Sequence, residues 1–363
     1  MARIRVLVVD DSVVVRKLVT DVINADPGLE VAATAPNGRI ALSKIEQVVP
    51  DLVVLDVEMP VLDGLDTLRA LRERYPRLPV IMFSTLTERG ASVTMEALML
   101  GAKDYVTKPA NVGSVNAAIE RVREELVPKI RGLFARPTPA LAPAPSASPT
   151  STRRSPTSRP AVEAVVIGVS TGGPNALATL LPQLPPGLGA PVLVVQHMPP
   201  MFTGLLAERL DGACPVTVRE AAHAGPIDRA AIWIAPGDQH LLVDRAGATV
   251  RVATDQSPPQ NSCRPSVDVL FRSAAAIYGA GTLAVMLTGM GQDGLRGSEA
   301  IVEAGGALIA QDEASSVVWG MPGAVARAGL AEEVLGLDDI AGAITRRVTQ
   351  RPARVGASER GRS

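Results

Sequence analysis

Chemistry first becomes legible at Ala164 to Leu184, AVVIGVSTGGPNALATLLPQL, where an apolar strand runs into a glycine turn carrying one serine and then into a helix. Gly168-Val169-Ser170-Thr171-Gly172 fits the G-x-S-x-G spacing of a nucleophile elbow, whose small residues allow a sharp turn that pushes the serine oxygen out at the strand end. Pro174 suits the first helical turn, where its missing N–H costs nothing. The same stretch also fits a plain connection or an anion cradle. Two further apolar runs end at reactive residues: PVLVVQ delivers His197 and LAVMLTGMGQ delivers Asp293. A serine hydroxyl is a poor nucleophile until a base takes its proton, and histidine does this near neutral pH when a carboxylate fixes its tautomer. If the three runs are parallel strands of one sheet, Ser170, His197 and Asp293 emerge at the same carboxyl edge. Rivals stand beside each: His240 in APGDQHL for the base, Asp238 or Asp268 for the orienter, and a helix cap as the plain use of Asp293. Spacing alone does not choose among them.

A second constellation lies near the N-terminus. Asp10 and Asp11 end the apolar run Ile4 to Val9, and Asp56 ends the run that starts at Leu52. Three carboxylates in one crevice repel one another unless a hard cation such as Mg²⁺ joins them, and one of them is then free to attack a phosphoryl group. Ser84, at a later strand end, and Lys108, before Pro109, are placed to bond phosphoryl oxygens. Taken singly, Asp10 and Asp11 also read as helix caps and Lys108 as a solvated charge.

The elements that must position these groups follow from periodicity. Strands over Ile4–Val9, Val31–Ala35, Leu52–Asp56, Pro79–Phe83 and Asp104–Val106 alternate with helices over Val14–Asn24, Gly38–Val48, Leu65–Tyr75, Ser92–Leu100 and Gly113–Arg131. Five alternations predict a doubly wound parallel sheet, and the pattern resumes after Ala161. Between Arg136 and Pro160 the chain turns to Pro, Ala, Ser and Thr without one acidic residue, which reads as a flexible linker. The expected domains are 1–125, a helix end and linker over 126–160, a second α/β unit of three layers over 161–349, and a frayed tail over 350–363.

Composition narrows the function. Residues 161 to 349 hold eleven arginines against eighteen acidic residues, a net of −7 that disfavours nucleic acid. All five lysines lie at or before Lys129, which removes a Ser-Lys dyad from the second unit. Two cysteines, Cys214 and Cys263, make no disulfide framework. They and the three histidines also show none of the close pairings of a zinc site. The start lacks a signal-peptide pattern and no apolar run approaches the roughly 20 residues of a membrane span, so cytoplasmic location without membrane insertion is expected.

Residues 1 to about 125 resemble a two-component receiver domain of flavodoxin-like fold, through VVDDS, LDVEMPVLDG, Ser84-Thr85 and DYVTKP in order. That resemblance implies Asp56 as phosphoacceptor, Mg²⁺ held with Asp10 and Asp11, Ser84 and Tyr105 as a switch pair, Lys108 on the phosphate, and a histidine kinase as phosphodonor. It also implies a cis bond at Lys108-Pro109. Residues 160 to 348 resemble the catalytic domain of the chemotaxis protein-glutamate methylesterase family, through GVSTGGPNAL, VVQHMPPMFTGLLAERL, IAPGDQHL, RPSVDVLF, MLTGMGQDG and AQDEASSVVWGMP. This second resemblance implies Ser170 as nucleophile, His197 as base, Asp293 as orienting acid and a backbone N–H near Met290 as oxyanion donor. It further implies methyl-accepting chemotaxis receptors as substrates, with hydrolysis of glutamate methyl esters and deamidation of receptor glutamines. No cofactor is expected for the esterase. Val169, β-branched beside the nucleophile, and Cys263, expected as a small buried hydrophobe, stand outside these motifs. The alternative to an enzyme is a response regulator whose output unit only binds an anionic ligand or partner at Gly172-Gly173.

Overall fold

A computed structural model describes residues 3–85, 87–109, 114–135, 160–221 and 225–350. Most of the expected linker, the tail from Arg351 and His223 lie outside the described residues. In the N-terminal unit, β1 (Ile4–Val9), β2 (Leu29–Ala35), β3 (Leu52–Asp56), β4 (Val80–Ser84) and β5 (Asp104–Thr107) form a parallel sheet ordered β2-β1-β3-β4-β5. Except in the edge strand β2, which is mostly half-buried, their apolar runs are buried on both faces because α1 (Val13–Asn24), α2 (Gly38–Val48), α3 (Gly64–Arg74), α4 (Glu88–Met99) and α5 (Val115–Leu133) cover the sheet. Each of these helices starts on a side-chain cap, in turn Ser12, Asn37, Asp63, Thr87 and Ser114. Asp10 and Asp11 are therefore not the caps of α1. Helix α4 begins four residues before the expected Ser92, because Thr87 caps a polar first turn that carries no apolar period. The bond Lys108-Pro109 is trans, the intrinsically favoured isomer, and the cis bond among the described residues is Arg264-Pro265.

The second unit is built on a seven-stranded parallel sheet, ordered β15-β14-β13-β6-β7-β10-β8. Its strands are β6 (Ala164–Val169), β7 (Val192–Gln196), β8 (Thr217–Glu220), β10 (Ala231–Ile234), β13 (Thr282–Met286), β14 (Ala307–Gln311) and β15 (Glu333–Leu335). A small antiparallel sheet of β9 (Gly225–Pro226), β11 (His240–Ala246) and β12 (Thr249–Asp255) stands apart. The helices are α6 (Gly173–Leu180), α7 (Pro200–Asp211), α8 (Val267–Tyr278), α9 (Leu295–Glu303), α10 (Met321–Arg327) and α11 (Leu337–Thr349). Strand order reverses between β1 and β3 in the first unit and between β6 and β13 in the second, and in such sheets the crevice outside the strand ends at that point takes the ligand. Both constellations of the sequence fall there. The units meet through α4, whose Met95 and Leu98 join one apolar cluster with Phe202 and Leu206 of α7.

Candidate active site and phosphorylation site

The serine comes first. Strand β6 ends at Val169 between β13 and β7, so Ser170 stands over the crevice. In the turn that follows, the left-handed backbone falls on Gly172, at φ 79°, rather than on the serine. Only glycine suits that position, since a Cβ there would come within 2.6 Å of Val317. The Gly173 amide is already bonded to Ser170 O at 2.8 Å, and the space beside it holds the Gln196 carboxamide. The Ser170 amide is likewise bonded, to Thr288 O at 3.0 Å, so two amides of the turn are already used within the protein. Val169 is fully buried, with its side chain packed beneath Gly173 of the turn.

His197 follows β7, and its Nε2 lies 2.8 Å from Asp293 Oδ2. Asp293 sits in the loop between β13 and α9, where it caps α8 across space rather than the helix that follows it. Val267 N donates to Oδ2 at 2.6 Å, and Ser266 Oγ and Asn261 Nδ2 donate to Oδ1 at 2.7 and 2.9 Å. Burial works against ionisation of Asp293, but the hydrogen bond and charge of His197, with the Ser266 and Asn261 donors, outweigh it and hold the carboxyl at about 2. Burial also works against the imidazolium, yet the bond to Asp293, then the Cys263 sulfur, lift His197 to about 9. An ionised Asp293 accepts a hydrogen bond from Nε2–H, which leaves Nδ1 as the basic nitrogen.

The rivals have other duties. His240 is fully buried, with Nδ1 accepting from Ser266 N at 3.1 Å and Nε2 3.3 Å from Pro258 O, so neither nitrogen is available. Asp238 pairs with Arg264 at 2.6 Å. The Asp268 carboxylate accepts from Gly297 N and from Asn261 Nδ2, and no hydrogen bond joins it to His197. Ser170, His197, Cys263 and Met290 line one cavity of about 490 Å³, although no hydrogen bond joins Ser170 Oγ to His197. Gly289 packs so closely on Ser170 that a Cβ there would stand 2.8 Å from the serine Cβ. Cys263 is not the buried hydrophobe expected; it is half-buried on the cavity wall, with Sγ 3.7 Å from His197 Nδ1. Asn261, Ser266 and Cys263 belong to no periodic pattern, which is why sequence reading gave Asn261 and Ser266 no role and took Cys263 for packing.

The same cavity is closed on its far side by the first unit, through Tyr105, Glu124, Glu125 and Lys129. Tyr105 stacks on Phe202, centroids 4.5 Å apart and planes 17° from parallel. Asn175 Nδ2 donates to Ala102 O at 3.0 Å. A Cβ on Gly132 of α5 would stand 3.6 Å from Met290 Sδ.

In the first unit, Asp10 follows β1 and Asp56 ends β3. Lys108 Nζ bridges them, 2.8 Å from Asp10 Oδ2 and 2.7 Å from Asp56 Oδ1, so it is no solvated surface charge. Burial raises Asp56 and the Asp10 charge adds to this against the Lys108 bond, bringing it to about 6. Burial disfavours the Lys108 charge, but its bonds to the two carboxylates raise its pKa on balance. Oxygens of Asp10, Asp11 and Asp56 lie within 4.8 Å of one another, and Asp56 Oδ2 is buried without a hydrogen bond. An all-oxygen set with an unpartnered carboxylate oxygen fits a hard divalent cation. Ser84 is turned away from Asp56, with Oγ 2.7 Å from Thr94 Oγ1 and 3.2 Å from Gly90 O.

Residues 165–344 match the CheB methylesterase family, and residues 6–120 match the response regulator receiver domain. A protein-glutamate methylesterase/protein-glutamine glutaminase of Trichodesmium erythraeum (strain IMS101) is 51% identical, over 96% of this chain and 100% of the relative. One of the same description from Nocardioides sp. (strain ATCC BAA-499 / JS614) is 54% identical, over 98% of this chain and 99% of its own length. The crystal structure of the Thermotoga maritima CheB methylesterase catalytic domain superposes with a TM-score of 0.50 at 43% identity, covering 51% of this chain and 97% of that one. Ser170, His197 and Asp293 gather at one switch point in a chain that agrees with these relatives over nearly its full length: the chain belongs to the CheB methylesterase family and carries a response-regulator receiver domain at its N-terminus.

Proposed function

We propose that the chain hydrolyses γ-methyl esters of glutamate, and primary amides of glutamine, on methyl-accepting chemotaxis receptors, and that phosphorylation of Asp56 by a histidine kinase releases this activity. The observation that carries the reading is the one cavity lined by Ser170, by His197 with Asp293 bonded behind it, and by residues of the receiver unit. Ser170 Oγ adds to the ester carbonyl carbon while its proton passes to His197 Nδ1, the nitrogen that Asp293 leaves free. The tetrahedral oxyanion is met by the Met290 amide; one such donor is worth about 10²–10³ in rate. As the carbon–oxygen bond of the ester, or the carbon–nitrogen bond of the amide, breaks, His197 gives its proton to the departing oxygen or nitrogen, which leaves as methanol or ammonia. Water then adds to the acyl-serine with His197 again as base, restoring Ser170 and leaving a glutamate carboxyl.

Asp10, Asp11 and Asp56 would hold Mg²⁺, which when bound neutralises charge between the carboxylates and the incoming phosphoryl group. The Asp56 carboxylate attacks the phosphorus of the kinase phosphohistidine, the phosphorus–nitrogen bond breaks and the donor imidazole leaves; Lys108 takes a phosphoryl oxygen, and Ser84 turns from Gly90 and Thr94 toward the phosphate. Tyr105 then repacks, which loosens its stack on Phe202. Methanol release from methylated receptor, with and without a small phosphodonor, tests the reading. Ser170→Ala and His197→Ala should leave residual hydrolysis, and Asp293→Asn should lose roughly 10⁴-fold. Undiminished turnover by Ser170→Ala protein, or its labelling by a serine-directed probe as strongly as wild type, refutes it.

A further inference from the structure

Cys263 stands 66 positions after His197, beyond any sequence spacing rule for a metal site, yet its Sγ lies 3.7 Å from Nδ1. A tetrahedral zinc ion bonded to a thiolate at about 2.3 Å and to an imidazole nitrogen at about 2.0–2.1 Å sets the two ligand atoms about 3.6 Å apart. The pair therefore sits at the bite distance of a Cys/His site before any side chain moves. The other imidazole nitrogen is held by Asp293 Oδ2 at 2.8 Å. That is the outer carboxylate which metal-bound histidines carry, and it presents Nδ1 as the free ligand. Ligand atoms of His197, Cys263 and Asp293 all lie within 4.8 Å of one another. Both His197 and Cys263 line the cavity of about 490 Å³, which has room for the waters that complete a coordination shell.

We infer that Cys263 Sγ and His197 Nδ1 form an inhibitory site for a thiophilic divalent cation, zinc foremost. On binding, the thiol proton and, where the imidazole is protonated, the Nδ1 proton leave to solvent; a Zn–S bond replaces the S–H bond, and the freed Nδ1 lone pair is taken by the metal. That lone pair is the one proposed to accept the Ser170 proton, so an occupied site blocks acylation without touching the serine. The inhibitory consequence rests on the esterase reading; the coordination does not. Hard Mg²⁺ prefers the oxygen ligands of Asp10, Asp11 and Asp56, so the two sites select different ions.

Full-length wild type, Cys263→Ser and Cys214→Ser are titrated with Co²⁺ in excess Mg²⁺, and methanol release is measured with and without Zn²⁺. Wild type and Cys214→Ser should show the near-ultraviolet thiolate-to-cobalt charge-transfer band, and Cys263→Ser should not. Zinc at ten times its Kd should lower wild-type hydrolysis about tenfold and that of Cys263→Ser by less than about twofold. The ratio within each variant is the readout, so any effect of the substitution on hydrolysis itself cancels. A wild type without the band overturns the site whatever its activity. A band with undiminished hydrolysis overturns the inhibition, and equal zinc inhibition of Cys263→Ser places the ion elsewhere. A wild type that hydrolyses no ester fails the esterase reading and leaves the cobalt test to judge the site.

Discussion

Replacing Phe202 by leucine isolates the contact through which the receiver is proposed to cover the esterase site. Phe202 is fully buried, and its ring stacks on Tyr105 at 4.5 Å across the boundary between the units. Leucine keeps an apolar side chain against Leu206 and the rest of α7, so the change falls mainly on the ring-on-ring contact. Such pairs are worth about 0.5–1.5 kcal/mol beyond the area they bury, which corresponds to a rise of about 2- to 13-fold in the ratio of open to closed chains. Where the closed form predominates, the unphosphorylated rate rises by that factor, while the rate of the fully open form stays put. The additional activation by phosphorylation should therefore shrink by the same factor.

The assay is the initial rate of methanol release from methylated receptor, measured on the full chain before and after phosphorylation and on a fragment starting at Ala161. The relative crystallised as a catalytic domain alone supports such a fragment. Phe202→Leu within the fragment should leave its rate unchanged, which separates uncovering from damage to the nearby His197 loop. Tyr105→Leu should act in the same direction, and the double variant should gain less than the two singles combined, because both remove one contact. A Phe202→Leu full chain no faster than wild type, with the fragment intact, would sink the idea that this stack holds the cover in place.

Asp56→Asn should abolish Phos-tag-detectable modification by a small phosphodonor, and chelating Mg²⁺ should do the same in wild type; undiminished labelling of the variant moves the phosphoacceptor elsewhere. The unphosphorylated fragment from Ala161 should outpace the unphosphorylated full chain, and equal rates would place activation somewhere other than uncovering the cavity. With His197 lifted to about 9, its basic form appears only as pH rises, so kcat/KM of the full chain should climb through a group near 9. A limb near 6.5 would show that the Asp293 and Cys263 contacts do not hold the imidazolium. The same raised pKa stabilises the fold fully below about 6.5 and loses that contribution as pH passes 9, whereas the lowered Asp293 stabilises it above 3.8 and loses that contribution as pH falls toward 2. Thermal unfolding of wild type and Asp293→Asn across both ranges checks the signs.

What could be read in the chain and what could not divides along a physical line. Val6 to Val9 and Leu52 to Leu55 are buried on both faces, so each appears as an unbroken apolar run, and a charged residue directly after such a run must stand at a sheet edge. Asp10, Asp56, Ser170 and His197 were legible for that reason. The choice between His197 and His240 was not, because it depends on β7 lying next to β6 while β11 joins a separate antiparallel sheet, and strand neighbours are not written in local periodicity. The β11–β12 hairpin itself carried a signal in the alternation of HLLVDRAGATVRVATD around Gly247, a left-handed position.

Asp293 shows the harder case. Its place after an apolar run in GMGQDG was readable, but a buried carboxylate stays ionised only where donors converge on it. Those donors come from Asn261, Ser266 and the first amide of α8, some thirty residues earlier in the chain. Helix α8 has no side-chain cap of its own, so its free N-terminal amides and the carboxylate satisfy each other. The loop that brings Asn261 and Ser266 also brings Cys263 to His197, because it must cross the carboxyl edge of the sheet to start α8 behind β6. The loop that supplies donors to the Asp293 carboxylate is therefore also the loop that sets a thiol beside His197, and on the proposed roles substitutions in 261–266 should change hydrolysis and zinc sensitivity together.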